Sequence, residues 1–218
     1  MLVQVMGFVL VLLSVLVNPF SLKAQTIDEV IDHIQDFYQK IQTIQADFIQ
    51  ETYFPQGPKE ISSGKLWIKK SGKFRWEYHN PQKLFIISAG NTIYFYYPEA
   101  KQALAYPSGT TLGSKLALGF MTGRGNIKTD LKVESFQTLA DNFWKINFLT
   151  VVNDPKVKRI SLVVNPESGE VKEFSFVNAS GEVIRVILEN LKYNQALKDS
   201  LFHFSPSKEV KIINAQAQ

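Results

Sequence analysis

The sequence predicts a mainly β protein, a single curved antiparallel sheet partnered by one amphipathic helix. Three observations carry this. An opening segment repeats its apolar residues at helical spacing, and the period then switches to two at Ile44. Short strand-like runs, separated by turn chemistry, follow one another almost to the end of the chain.

The helix covers Thr26 to Lys40. Thr26 and Glu29 have the spacing of a capping box, and Ile27, Val30, Ile31, Ile34, Phe37, Tyr38 and Ile41 fall on one face. Such a stripe needs a sheet to lie on. Strands are expected at about 44–52, 61–70, 73–79, 83–88, 92–97, 101–105, 131–137, 143–150, 157–165, 171–177 and 183–192, with a short last piece at 201–204. Ala89-Gly90-Asn91, Asn165-Pro166-Glu167-Ser168-Gly169 and Asn178-Ala179-Ser180-Gly181 supply turns, which argues for an antiparallel meander.

Residues 64–81 form the most informative hairpin. Leu66 and Ile68 share one face with Trp67 on the other, while Phe74, Trp76 and Tyr78 line one face of the return strand, opposite Arg75 and Glu77. Ser71-Gly72 makes the turn and Pro81 ends the strand. Residues 107–125 interrupt the β pattern. Leu112, Leu116 and Phe120 fall four apart, with Met121 beside them, which predicts a short helix. Gly109, Gly113, Gly119, Gly123 and Gly125 flank and punctuate it, each costing roughly 0.5–1 kcal/mol against alanine inside a helix. A loosened apolar helix suits a lid, and an ordinary crossover helix over one end of the sheet is the alternative.

The chain has 218 residues, 45% hydrophobic and 20% charged, with a net charge of +4. Residues 1–24 resemble a secretory signal. Val5 to Val17 is an apolar run, Asn18-Pro19 breaks it, and cleavage is expected after Ala24. Residues 25–218 then form one domain, since no linker or composition break divides them. The chain contains no cysteine, so its fold rests on its own core, and no cysteine follows the apolar run to take a lipid anchor. The mature chain is expected to be exported and soluble. Lys69, Lys70 and Lys73 form the one tight basic cluster, at a turn where solvated lysines are the expectation and nucleic acid is not.

Catalytic chemistry is not evident. The three histidines, His33, His79 and His203, are far apart and lack metal-ligand spacing. There is no nucleophile elbow, and the acidic residues are scattered, with no pair placed for general acid and base. The expectation is a protein that is not an enzyme, without catalytic residues, metal or cofactor. Apolar surface is abundant instead, and runs such as Leu84-Phe85-Ile86-Ile87 are apolar on both faces. Either helices fill the concave side completely or a cavity is left for an apolar ligand.

Several motifs run in order along nearly the whole mature chain. After the helix come Ala46-Asp47-Phe48-Ile49-Gln50, then Gly64-Lys65-Leu66-Trp67-Ile68-Lys69-Lys70, and Phe74-Arg75-Trp76 with Pro81. Ala89-Gly90-Asn91-Thr92-Ile93-Tyr94-Phe95-Tyr96 with Pro98, Gln102-Ala103, and Phe202-His203-Phe204-Ser205-Pro206 complete the set. With these motifs the chain resembles the LolA-type periplasmic lipoprotein carriers.

The resemblance implies an incomplete, unclosed antiparallel β-barrel of about 11 strands, its apolar concave face covered by the N-terminal helix and a short helical lid. It implies a monomeric periplasmic carrier that binds acylated lipoproteins by their acyl chains. The cargo comes from an inner-membrane lipoprotein-release ABC transporter and goes to an outer-membrane lipoprotein receptor. Phe74 and Trp76 match family positions on the cargo-contacting strand. Tyr78, Phe85 and Ile87 join them as expected acyl-chain contacts, as do Leu112, Leu116, Phe120 and Met121 of the lid. Lys70 stands where the family commonly has an arginine that latches the lid, and lysine lacks the planar fork of donors. Ser71 stands where a proline is common. On this reading Trp76→Ala or Phe74→Glu reduces cargo binding and leaves the fold intact. The alternatives are a lipid or lipoprotein sensor, a carrier of another amphiphile such as a glycolipid, and a lipid-processing hydrolase.

Overall fold

The structure, a computed structural model, describes residues 25–70, 72–89, 91–108, 125–151, 157–178 and 180–214. The expected signal segment and the expected lid residues Leu112, Leu116, Phe120 and Met121 lie outside them.

Helix α1 spans Ile27–Lys40 and begins as its capping box dictates. The Glu29 amide donates to Thr26 Oγ1 at 3.3 Å, and the Thr26 amide donates to Glu29 Oε2 at 2.8 Å. Its apolar stripe, Val30, Ile31, Ile34 and Tyr38, is buried.

The strands are β1 (Thr43–Tyr53), β2 (Glu60–Lys69), β3 (Lys73–Asn80), β4 (Leu84–Ala89), β5 (Thr92–Tyr97) and β6 (Gln102–Pro107). A short helix α2 (Ile127–Asp130) precedes β7 (Leu131–Thr138), β8 (Trp144–Thr150), β9 (Val157–Val164), β10 (Val171–Asn178), β11 (Val183–Tyr193) and β12 (Lys211–Asn214). All belong to one sheet in the order β12-β6-β5-β4-β3-β2-β1-β11-β10-β9-β8-β7. Two consecutive meanders, β1–β6 and β7–β11, are thus joined where β1 pairs with β11. The outermost strands, β12 and β7, do not pair with each other, so the barrel is unclosed. Side chains from α1, β5 and β8 join a single buried cluster, so the sheet curls around the helix.

The sequence expectation fails at the C-terminus. The piece at 201–204 is not a strand. It contains the end of a 3₁₀ turn, Asp199–Phe202, followed by extended chain laid over the outer face of the sheet. Phe202 is buried and the Phe204 ring stacks 4.4 Å from Tyr94, so their alternation records docking on the sheet and not pairing within it. The twelfth strand is β12, four residues paired in parallel with β6. The basic cluster is also not simply solvated. Lys69 and Lys73 hold the two carboxylate oxygens of Asp199 at 2.6 and 2.9 Å and so fasten this strap to the hairpin.

Two glycines set how closely the layers approach. Gly64 sits at a register shift between β2 and β3, and a Cβ there would lie 1.8 Å from the Glu77 carbonyl oxygen. Gly169, at φ +77°, ends the β9–β10 turn, and a Cβ there would lie 2.2 Å from the His33 carbonyl oxygen of α1. The turn itself is organised by Asn165, whose Oδ1 accepts from the amides of Glu167 and Ser168 at 3.0 Å each. Helix α1 therefore rests backbone to backbone on this turn.

On the outer face of the β1–β11 seam, Glu51 accepts from Lys59 at 2.8 Å, Tyr53 at 2.7 Å and Arg185 at 2.9 Å. These donors, Lys59 foremost, hold its carboxyl at about 2 against an ordinary 4.5. A depressed carboxylate contributes stability that is present above 4.5 and lost as the pH falls through about 2. Glu51→Gln is expected to flatten the acid limb of the stability profile in that window, as read from urea midpoints.

Candidate functional site

Cross-strand register assigns each apolar side chain to a face. On the inner face, where α1 lies, Ile44, Ile68 and Phe74 align across β1, β2 and β3. One step along the strands, Ala46, Leu66, Trp76, Ile86 and Phe95 align from β1 to β5. The next row is Phe48, Gly64, Tyr78 and Leu84. With no side chain at Gly64, the Phe48 ring packs edge-on to Trp76 at 5.1 Å and to Tyr78 at 5.0 Å.

Beyond Phe48 the face turns polar. Tyr78 Oη donates to Gln50 Oε1 at 2.9 Å, and Gln50 Nε2 donates to Thr52 Oγ1 at 3.2 Å. Burial pushes the Tyr78 phenol above its ordinary value, so it stays a neutral donor at any physiological pH. Trp76 Nε1 is sealed from solvent with no hydrogen-bond acceptor among the described residues.

The expected site residues separate. Phe74, Trp76 and Tyr78 do share the inner face. Phe74 is only 2% exposed and belongs to the packed core, whereas Trp76 and Tyr78 are partly buried against it. Phe85 and Ile87 are on the opposite face. They pair with Glu77 and Arg75, which places them outside. There Ile87 is buried, and Phe85 packs 5.9 Å from Tyr96 with the Arg75 guanidinium 5.4 Å above its ring. Grouping them with Phe74 is therefore corrected. The run 84–87 is apolar on both faces, so its composition could not say which residues point inward.

Lys70 donates from Nζ to the carbonyl of Gln39, in the last turn of α1. A lysine is well suited there, since the final carbonyls of a helix lack intrahelical partners and carry the negative end of the dipole. The latch position thus grips the N-terminal helix. The rest of α1 is tied down in the same way. Gln35 Oε1 accepts from the Ile127 amide at 2.9 Å, and Lys128 pairs with Asp32 at 2.5 Å. His33 Nδ1 lies 2.7 Å from Pro166 O. Lys70→Met is expected to lower stability by about 0.5–1 kcal/mol and to speed amide exchange at the C-terminal end of α1. Hydrogen exchange checks this directly.

Under α1, on the other half of the inner face, is a pocket that the sequence analysis did not identify. Tyr38, Ile127, Ile160, Leu162, Phe174 and Leu188 line it, with Asn126 and Asp130 contributing polar groups. Its empty space is about 700 Å³, counting the open mouth. The Tyr38 hydroxyl accepts from the Val171 amide at 3.3 Å, which fixes the ring against β10. No local motif marks this pocket. Ile160 and Leu162 show the same alternation as any strand with one buried face. Among the described residues, no three His, Asp or Glu side chains gather where a metal could be held.

The sequence profile of the family described as outer membrane lipoprotein carrier protein LolA matches residues 39–205. The chain belongs to the LolA family. Membership places it among lipoprotein carriers and not among enzymes. It is 26% identical to the outer-membrane lipoprotein carrier protein of Methylococcus capsulatus, over 93% of this chain and 95% of that one. It is 30% identical to the outer-membrane lipoprotein carrier protein of Haemophilus influenzae, over 79% of this chain and 81% of that one. In fold it is similar to an uncharacterized conserved protein from Thermus thermophilus, with a TM-score of 0.54 at 14% identity, covering 86% of this chain and 98% of that one. The unclosed LolA-type sheet expected from the sequence is the fold observed.

Proposed function

We propose that this chain is a periplasmic carrier that takes acylated lipoproteins from the inner to the outer membrane, with their acyl chains held against the inner face of the sheet. The observation that carries this reading is the apolar inner face itself, with partly buried Trp76 and Tyr78 on one half and the apolar-lined pocket under α1 on the other. The donor is an inner-membrane lipoprotein-release transporter and the acceptor an outer-membrane receptor. The chain acts as a soluble monomer after loss of residues 1–24.

The physical requirement is severe. Each buried methylene contributes roughly 0.8 kcal/mol, so a long acyl chain resists leaving a membrane by on the order of 10 kcal/mol. A carrier must offer comparable apolar cover in water and then give it up. Leu112, Leu116, Phe120 and Met121 complete the cover in this reading.

Purified mature protein mixed with a radiolabelled triacylated lipoprotein tests the proposal. The lipoprotein is expected to stay soluble and to co-elute with the carrier after detergent removal. Precipitation of the cargo with the carrier left free would sink it.

A further inference from the structure

The sealed indole nitrogen of Trp76 is a donor without an acceptor among the described residues, on the face proposed above to hold acyl chains. Burying an indole N–H without a partner is unfavourable, and native structures tolerate few such groups. Its position along the strands is informative. Toward one end lie Ile44, Ile68 and Phe74, with Ala46 and Leu66 in the row of Trp76 itself, all apolar and buried. Toward the other lies the chain of hydrogen bonds from Tyr78 through Gln50 to Thr52. Trp76 stands one row before that polar end, with the Phe48 and Tyr78 rings between. An acylated amphiphile has the same profile, with methylenes, then one carbonyl, then polar groups.

We infer that Trp76 Nε1 donates a hydrogen bond to the acyl carbonyl oxygen at the head of a bound chain. The inner face then selects acyl-linked over alkyl-linked amphiphiles and orients the head toward Gln50 and Thr52. The inference rests on the proposed acyl-chain site and adds a specificity-determining residue and a direction to it. Ester and amide carbonyls both satisfy the chemistry.

Three ligands of matched chain length separate the cases: 1-palmitoylglycerol, N-palmitoylethanolamine and 1-O-hexadecylglycerol, the last an ether without a carbonyl. Wild-type protein is expected to bind at least one of the two acyl ligands about five- to tenfold more tightly than the ether. The Trp76 indole N–H resonance should move downfield with that ligand and not with the ether. Trp76→Phe keeps most of the ring surface and loses the donor. It should bring the three ligands to within about twofold of one another. Equal acyl and ether binding by wild type, or an acyl preference that survives Trp76→Phe, overturns the inference and leaves the carrier reading standing. Binding of none of the three overturns both. The indole resonance is read on wild-type protein, so the test holds even if the variant folds poorly.

Discussion

Gly64→Ala is expected to destabilise the protein by about 3–5 kcal/mol, far beyond the usual cost of an exposed strand substitution. The added methyl would sit 1.8 Å from a backbone oxygen of β3 and 3.0 Å from the Phe48 ring. A flexible side chain could swing away from such a contact, but the Glu77 carbonyl is part of the ladder. Relief therefore means separating β2 from β3 or dislodging Phe48, and with it the ring packing on Trp76 and Tyr78. Urea denaturation of the purified variant gives the number. A loss under about 1 kcal/mol would mean that the two strands are not held this closely.

Phe74→Glu carries the second large effect, and here the structure reverses what the sequence implies. The family resemblance makes Phe74 and Trp76 equivalent cargo-contacting residues, and on that reading Phe74→Glu and Trp76→Ala both spare the fold. Phe74 is instead 2% exposed, between Ile68 of β2 and the β4 side of the sheet. An unpaired carboxylate there is expected to cost at least about 3 kcal/mol. Burial also raises the pKa of the new acid, so the folded variant binds its proton more tightly than the unfolded chain. Its deficit should then grow as the pH rises above the ordinary glutamate range. Phe74→Leu is the control, with a loss nearer about 1 kcal/mol. Loss of cargo by Phe74→Glu would accordingly report unfolding, and Trp76 is the cleaner probe of binding.

The parts of the fold legible in the sequence are those set by local chemistry. Thr26 and Glu29 start α1 where the capping box says, and the period-two runs give eleven of the twelve strands among the described residues. The hairpin at 64–81 has its expected faces because Phe74, Trp76 and Tyr78 alternate with Arg75 and Glu77. What failed depends on contacts far apart in the chain. β12 exists because it finds β6 about a hundred residues away, and nothing in Lys211–Asn214 alone reports that. Phe85 and Ile87 lie outside because β3–β4 register puts them opposite Glu77 and Arg75. The pocket under α1 draws on β9, β10, β11 and α2 together, so no single motif could announce it. Family resemblance supplied the meaning of the inner face, and register decided which residues belong to it.

The three tryptophans allow the central claim to be measured directly. Trp76 is on the inner face, and Trp67, one strand away, pairs with Gln45 and Arg75 on the outer face. In a variant with Trp144→Phe, fluorescence is read from each of these two in turn after replacing the other with phenylalanine. The cargo is a lipoprotein whose acyl chain carries a nitroxide quencher. Cargo held as proposed quenches Trp76 strongly and leaves Trp67 nearly unchanged. Quenching of Trp67 as strong as that of Trp76, or stronger, would contradict acyl-chain binding on the inner face.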